Sequence, residues 1–348
     1  MSKRRPTIPA PRNGLVSYAY YRTSDLDRLK SLRLIGDSGA HSANTLGIKI
    51  NDKLLADWIT KWRHRLAWAA CLDVINDPEG TWRGFRTMHE VYGIEGVPSL
   101  HFGTDPREMD RYADYGVDFM GLGGMVGKSR PKAMRWLVAC LRYARDNHPD
   151  MRFHGWGLTS EVTFQLPFYS VDSSSWSGAW RFGRLHLRHP RTGKSISVQL
   201  NGRHAYDPKV ARLLRDHYGT GPSEVAECLP STRNNVVRVA ALSASVAEQQ
   251  LRRTHGAITP PSWGQLAKPQ NGPSLHLADS APADLRLLSD LAPDGPHVHL
   301  VDGSEGHMVT MSQLGDTGPH LHLADCSPSM PMYADFVAQG DQENQETP

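Results

Sequence analysis

What this 348-residue chain lacks narrows its identity first. It has four cysteines, Cys71, Cys140, Cys228 and Cys326, widely separated and without a CxxC pair. That argues against a zinc site of clustered thiolates and against a disulfide framework, and it fits a reducing cytoplasm. No run of about 18 apolar residues occurs, so no membrane partner is expected. The first residues are basic and proline-rich without the apolar stretch of a signal peptide, and residues 1–14 read as a basic mobile arm. Neither GxGxxG nor a P-loop is present. No dinucleotide or ATP site is expected, and no cofactor or bound metal is called for. Basic residues are nearly missing at the C-terminal end. Residues 271–348 hold 12 acidic residues and one basic residue, Arg286. That part carries −11, which leaves +14 on residues 1–270 of an overall +3. A basic body is the footprint of a protein that meets phosphate backbones.

What is present is a rhythm. Six times in the first half, a short apolar run ends in small and polar residues: Gly36-Asp37-Ser38-Gly39, Asp73–Asp77, His101-Phe102-Gly103, Gly121-Leu122-Gly123-Gly124, Gly155-Trp156-Gly157 and Asp172–Ser175. Strands are expected at Leu15–Tyr21, Leu32–Gly36, Trp68–Val74, Val97–Phe102, Val117–Leu122, Arg152–Trp156 and Phe168–Val171, with Ser195–Leu200 as an eighth. Helical patterning lies between them, clearest over Pro131–Asn147. Such alternation predicts a parallel sheet, and a count near eight favours a (β/α)8 TIM barrel over residues 15–200. Residues 201–256 read as a helical extension completing the body. Residues 257–338 form an acidic, histidine-containing region whose 23-residue repeat begins at Gly272-Pro273, Gly295-Pro296 and Gly318-Pro319. Residues 339–348 read as disordered. The pairs His297/His299 and His320/His322, with Asp302 or Asp325, have the spacing of a metal site or of one solvent-facing side of a small β repeat. The tail's charge complements the body. Deleting residues 265–348 is therefore expected to strengthen non-specific DNA binding at low salt.

The strand endings carry the chemistry. Asp37 and Asp172 on one rim suit a reaction at a cationic sugar centre, where one carboxylate attacks or stabilises C1′ and the other moves a proton. Either one alone would serve equally well as the cap of a following helix. Asp73, after Ala69-Ala70-Cys71-Leu72, can accept two N–H bonds from a guanine edge, because an ionised carboxylate only accepts. Its alternative is also a cap, near Asp77-Pro78. Gly123, Gly124 and Met125 form a segment whose backbone can approach a flat ligand. His101 can hydrogen-bond a purine or sit satisfied in the core.

In this order, these residues resemble the tRNA-guanine transglycosylase superfamily, and within it the phage branch that inserts 7-deazaguanine bases into DNA. Gly36-Asp37-Ser38-Gly39 resembles the family's Asp-Ser-Gly-Gly loop, and Asp73 its guanine-binding aspartate. His101 stands where the tRNA enzymes carry a purine-binding glutamine. Gly123-Gly124-Met125 resembles the Gly-Gly-Leu segment lining the base, His154-Gly155-Trp156-Gly157 the Met-Gly-Val-Gly turn, and Val171-Asp172-Ser173 the segment holding the nucleophile. The family's zinc cluster and its Pro-Thr-Arg-Asn-Gly stretch have no counterpart in this sequence. The resemblance implies a DNA-guanine transglycosylase that exchanges guanine for a preQ0-like base through a covalent aspartyl-deoxyribose intermediate. Asp172 would be the nucleophile and Asp37 the general acid and base. Ser38, Gly39, Asp73, His101, Gly123, Gly124 and Met125 would bind the substrate. DNA and a free 7-deazaguanine would be the partners. Action on tRNA, an inactive nucleic-acid-binding protein and an unrelated barrel hydrolase are the alternatives.

Overall fold

A computed structural model of the chain describes residues 6–29, 32–40, 42–43, 49–74, 77–125, 127–158 and 163–278. These residues contain ten strands: β1 (Asn13–Ser17), β2 (Arg33–Asp37), β3 (Leu66–Ala69), β4 (Ser99–His101), β5 (Phe119–Gly123), β6 (Arg152–Gly155), β7 (Ser170–Ser173), β8 (Arg184–Arg188), β9 (Ser195–Gln199) and β10 (Ser274–Ala278). All but β8 and β9 join one sheet in the order β3-β2-β1-β10-β7-β6-β5-β4, and every pairing within it is parallel. The sheet curls until its outer strands approach each other. Just beyond β3 and just before β4, Ala70 and Val97 form a parallel bridge. There the Val97 N–H donates to the Ala69 carbonyl at 2.8 Å and the Cys71 N–H to that of Val97 at 3.0 Å. This is a mixed α/β protein with a curled eight-stranded parallel sheet of the TIM-barrel type. In such a sheet the strands' C-terminal ends share one rim.

The expected eighth strand is a different segment. Ser195–Gln199 does not enter the sheet; it pairs antiparallel with Arg184–Arg188 as a two-stranded ribbon. The physical reason is the burial pattern. In the ribbon, Leu185, Leu187 and Val198 are buried while Arg184, His186, Ser195, Ser197 and Gln199 are exposed. That half-buried alternation suits a ribbon lying on a surface. A strand of the curled sheet is covered on both faces, as β10 is at all five positions. β10 fits between β1 and β7, with Leu275 paired to Val171 and Leu277 to Gly14. It is also the first unit of the 23-residue repeat. The sheet therefore runs from residue 13 to 278, not 15 to 200, and the repeat region is not separate from the body at its start. The remaining units, and the histidine pairs from His297 to His322, lie outside the described residues, as does 339–348.

The helix Arg233–His255 is likewise no extension: it is the crossover into β10. Its Glu248 carboxylate accepts the Asn13 side-chain N–H at 2.9 Å and the Leu275 N–H at 3.3 Å, which ties the helix to the starts of β1 and β10. The N-terminal segment is docked as far as it is described. Ile8 is buried, the Thr7 N–H donates to the His217 carbonyl at 3.0 Å, and the Ser245 hydroxyl donates to the Pro9 carbonyl at 2.8 Å. The reading of a mobile arm over 1–14 is thus corrected for residues 6–14.

Two local differences prepare the site. The strand expected at Trp68–Val74 ends at Ala69, so Asp73 lies on the loop beyond it. The helix after that loop starts at Pro78, where Asp77 accepts the Gly80 N–H at 2.8 Å as its N-cap. Asp77 rather than Asp73 does the capping, and this leaves the Asp73 carboxylate for other partners. Inside the sheet, Trp68 is fully buried with Phe119 edge-on at 5.1 Å and His154 at 4.9 Å. Burying side chains of this size contributes about 1.5–3 kcal/mol each.

Candidate active site

Asp37 is the last residue of β2 and Asp172 lies one residue before the end of β7, while Asp73 and His101 follow β3 and end β4. The sheet brings these four ends to one rim. The Asp37 carboxyl is pushed up to about 7, first by burial, then by the negative charge of Asp73, with Asp172 adding to it. The Ser17 hydroxyl and the Gly39 backbone N–H offset this only in part. Three carboxylates share one region, and one of them, Asp37, holds its proton up to neutral pH.

Asp172 is held from one side. Its Oδ1 accepts the Gly157 N–H at 2.7 Å and pairs with His154 Nε2 at 3.3 Å. His154 is fully buried and its pKa is lowered, chiefly by that burial, so the ring is neutral. A carboxylate oxygen accepts, so Nε2 carries the ring proton, and Nδ1 then accepts from the Ser170 hydroxyl at 2.8 Å. Both contacts fall on Oδ1, and among the described residues Oδ2 has no hydrogen-bond partner. On β10, opposite Asp172 in the register, His276 is also buried, and burial together with Arg33 keeps it neutral.

Asp73 is engaged at both oxygens. The Ser38 hydroxyl donates to Oδ1 at 3.2 Å, and His101 Nε2 lies 2.5 Å from Oδ2. The two residues assigned to base recognition thus contact each other, and a bound base would have to share or displace these bonds. Gly39 sits at φ +76°, and an added Cβ would lie 2.7 Å from the Ala19 nitrogen and 2.8 Å from the Ser17 hydroxyl oxygen. Only glycine lets this loop fold back against β1.

The glycines of β5 accommodate a side chain of the protein itself. Trp156 donates through Nε1 to the Ser99 hydroxyl at 3.0 Å and lies over Gly121 and Gly123. A Cβ on Gly121 would collide with Trp156 Nε1. The flat group against Gly123 is this indole, and Gly124 packs beside His101. Met125 is half-buried against the core. Gly121→Ala is expected to expel the indole and cost about 1–3 kcal/mol. A urea melt and a shifted tryptophan emission read this, and an unchanged melt would contradict the packing described.

A pocket of about 240 Å³ opens beside His101, with Asp77, Thr81, Ser99, Arg111 and Tyr112 in its wall. None of Asp37, Asp73 and Asp172 lines it. Among the described residues, no group of three or more His, Cys, Asp and Glu side chains is placed to hold a metal ion. Among them too, no helix is long and apolar enough to cross a membrane.

The sequence placed His154, Trp156 and Gly157 in a strand-end turn without giving them partners, and it did not single out Ser99 or Ser170. A signal for two of them existed. Ser170 and Asp172 alternate with buried Tyr169 and Val171, and His154 sits among Phe153 and Gly155. Polar residues at period two in otherwise apolar strands face the inside of a barrel. Fold and site together define a parallel-sheet protein of the TIM-barrel type with a carboxylate cluster at the strand ends. Compared with family models and with curated proteins, the chain matches none.

Proposed function

We propose that the protein is a glycosyltransferase that exchanges guanine in DNA for a 7-deazaguanine base. One observation carries this reading: a carboxyl group held protonated near neutrality, Asp37, shares the rim with a carboxylate, Asp172, that is oriented through one oxygen only. A carboxyl group whose proton is held to neutral pH, beside a second carboxyl group, can divide acid and nucleophile roles with it. Asp172 Oδ2 attacks C1′ of a deoxyguanosine, forming the C1′–O bond as the C1′–N9 bond breaks. Asp37 gives its proton to the departing guanine. N9 of the incoming base then displaces the ester oxygen, its proton returns to Asp37, and both carboxyl groups are restored. Asp73 and His101 bind the base edge after giving up part of their mutual contact, with the indole of Trp156 as a stacking face. The target nucleotide leaves the helical stack at a cost of about a few kcal/mol, which phosphate contacts of the basic body offset. Incubation with labelled 7-deazaguanine and either duplex DNA or tRNA tests the reading. Label in DNA supports it, label in tRNA alone moves the same chemistry to RNA, and guanine release without any incoming base means a hydrolase.

The acidic C-terminal part bears on the same test. Because Ser274–Ala278 is a strand of the sheet, a truncation from residue 265 would remove it and unfold the body. Deletion of 279–348 leaves that strand in place. It is expected to strengthen DNA binding at 50 mM salt by about tenfold, read by fluorescence anisotropy, and no change would mean the tail does not shield the body.

A further inference from the structure

The ribbon β8–β9 and the turns at its open end are not needed by the carboxylate site, yet their chemistry is distinctive. Residues 180–206 contain six lysines and arginines and no aspartate or glutamate. Among the described residues, the side chains of Arg181, Arg184 and Arg203 form no ion pair and no hydrogen bond. All three are exposed. Arg181 lines a hollow of about 480 Å³ whose wall includes Trp180, Phe182, Gln199, Asn201 and Cys228. Arg184 stands opposite Gln199 in the ribbon, and Arg203 follows Asn201 by two residues, so both flank that wall. Phe182 is 56% exposed and Tyr206 53%, with one side of the Phe182 ring against Gly178. Guanidinium groups with no counter-charge from the protein are stabilised by a bound anion. His186 registers that field: burial and then the neighbouring Arg184 and Arg188 lower its pKa.

The hollow lies toward the carboxylate rim. The helix Arg233–His255 runs antiparallel to the strands, with its C-terminal half beside the starts of β1 and β10. Its first residue, Arg233, therefore points to the other end, and its guanidinium lies 5.6 Å over the Trp180 ring. Trp180 donates to the Leu229 carbonyl at 3.2 Å, fixing this corner beside the helix start.

We infer that this hollow binds a single nucleic-acid strand, with bases against Phe182 and Trp180 and phosphates on Arg181, Arg184 and Arg203. Exposed aromatic faces interleaved with unpaired arginines are what a sequence-tolerant single-strand site needs: stacking for the bases and cations for the backbone. A protein partner would supply carboxylates but not the regular alternation of anion and flat ring that the arginines and aromatics match, and a duplex keeps its bases stacked on one another. This site rests on the base-exchange reading only for the choice of a nucleic acid as partner, and it gives the strand opened around the target nucleotide a place to lie.

The test is binding rather than turnover, with the full chain and a labelled 20-nucleotide single-stranded DNA followed by fluorescence anisotropy from 50 to 300 mM salt. The triple variant Arg181→Ala/Arg184→Ala/Arg203→Ala is expected to bind at least tenfold more weakly at 50 mM salt. Its slope of log affinity against log salt should be shallower by about 2, at roughly 0.7 for each phosphate that is no longer neutralised. Phe182→Ala should weaken binding by about tenfold with the slope unchanged, since stacking releases no counterions. A control removing equal charge on other crossovers, Lys53→Ala/Arg107→Ala/Arg145→Ala, should change affinity less than threefold. Equal weakening in the control and the patch variant would overturn the inference, and so would a Phe182→Ala variant that binds like the parent or a protein that prefers duplex through the same arginines. Thermal melts establish that each variant is folded. Asp172→Ala should bind the strand as the parent does. Loss of base exchange with Phe182-dependent binding intact would defeat the function and leave this site standing.

Discussion

Asp172→Ala is expected to lower base exchange by on the order of 10⁴-fold or more, because it removes the group proposed to form the C1′ ester. The covalent protein–DNA adduct trapped by denaturing a reaction mixture should vanish with it. Asp172 is 8% exposed, and its Oδ1 is fixed by the Gly157 N–H and His154. In the proposed reaction this would present Oδ2 in one direction, so that the geometry of attack would be set before substrate arrives. The same contacts make a second variant informative. His154→Phe removes the bond to Oδ1 and to Ser170 while keeping a ring among Trp68 and Trp156. If His154 only positions Asp172, the adduct should still form, more slowly. An adduct that persists in Asp172→Ala would move the nucleophile to another residue and end the assignment.

Asp37→Asn carries the other large effect, and it has two readouts of opposite direction. For activity, a group that cannot donate a proton should lower the rate by about 10²–10⁴-fold. It should also remove the fall in rate that the parent shows above pH about 7, where Asp37 loses its proton. For stability the sign is reversed. The folded-state pKa of Asp37 is raised from 3.8 to about 7. Below pH 4 both folded and unfolded states are protonated there and the residue contributes nothing to the pH dependence. As pH rises toward 7 the unfolded chain ionises first and the folded state is penalised, and above 7 the penalty is complete. The asparagine variant should therefore gain on the parent by up to about 4 kcal/mol between pH 4 and pH 8, measured by urea denaturation at each pH. A stability difference that does not change with pH would mean that Asp37 is not held protonated.

These two results would also separate what the site owes to each aspartate. Asp37 is driven up by Asp73 as well as by burial, so Asp73→Asn should lower the Asp37 limb while leaving the adduct trappable. The Ser38–Asp73–His101 chain then reads as the device that keeps a negative charge near Asp37 while waiting for a base edge.

How much of this was legible beforehand differs by residue. Strand endings at Asp37, His101, Gly123 and Asp172 stood out because a buried parallel strand is an apolar run and its end is an abrupt change of composition. The six-fold repetition of that change implied one rim. Asp73 was legible as a candidate but not as a partner of Ser38 and His101, since their contact spans 35 and 28 residues of chain. Trp156 over Gly121 and Gly123 was not legible, because nothing local says which side chain fills the space that glycines leave. The eighth strand was misplaced for a similar reason. Ser195–Gln199 and Ser274–Ala278 are both five-residue alternating segments, and local pattern ranks them equally.

The sequence by itself determined the alternation of strand, polar loop and helix, the basic body against the acidic end, and the carboxylates at the strand ends. These follow from local periodicity and charge, which each short segment carries alone. Only the tertiary structure decided that β10 joins β1 to β7, that Asp37 keeps its proton to about pH 7, and that His154 and Gly157 hold Asp172 at Oδ1. Each of those depends on burial and on neighbours far away along the chain, which exist only once the sheet has curled.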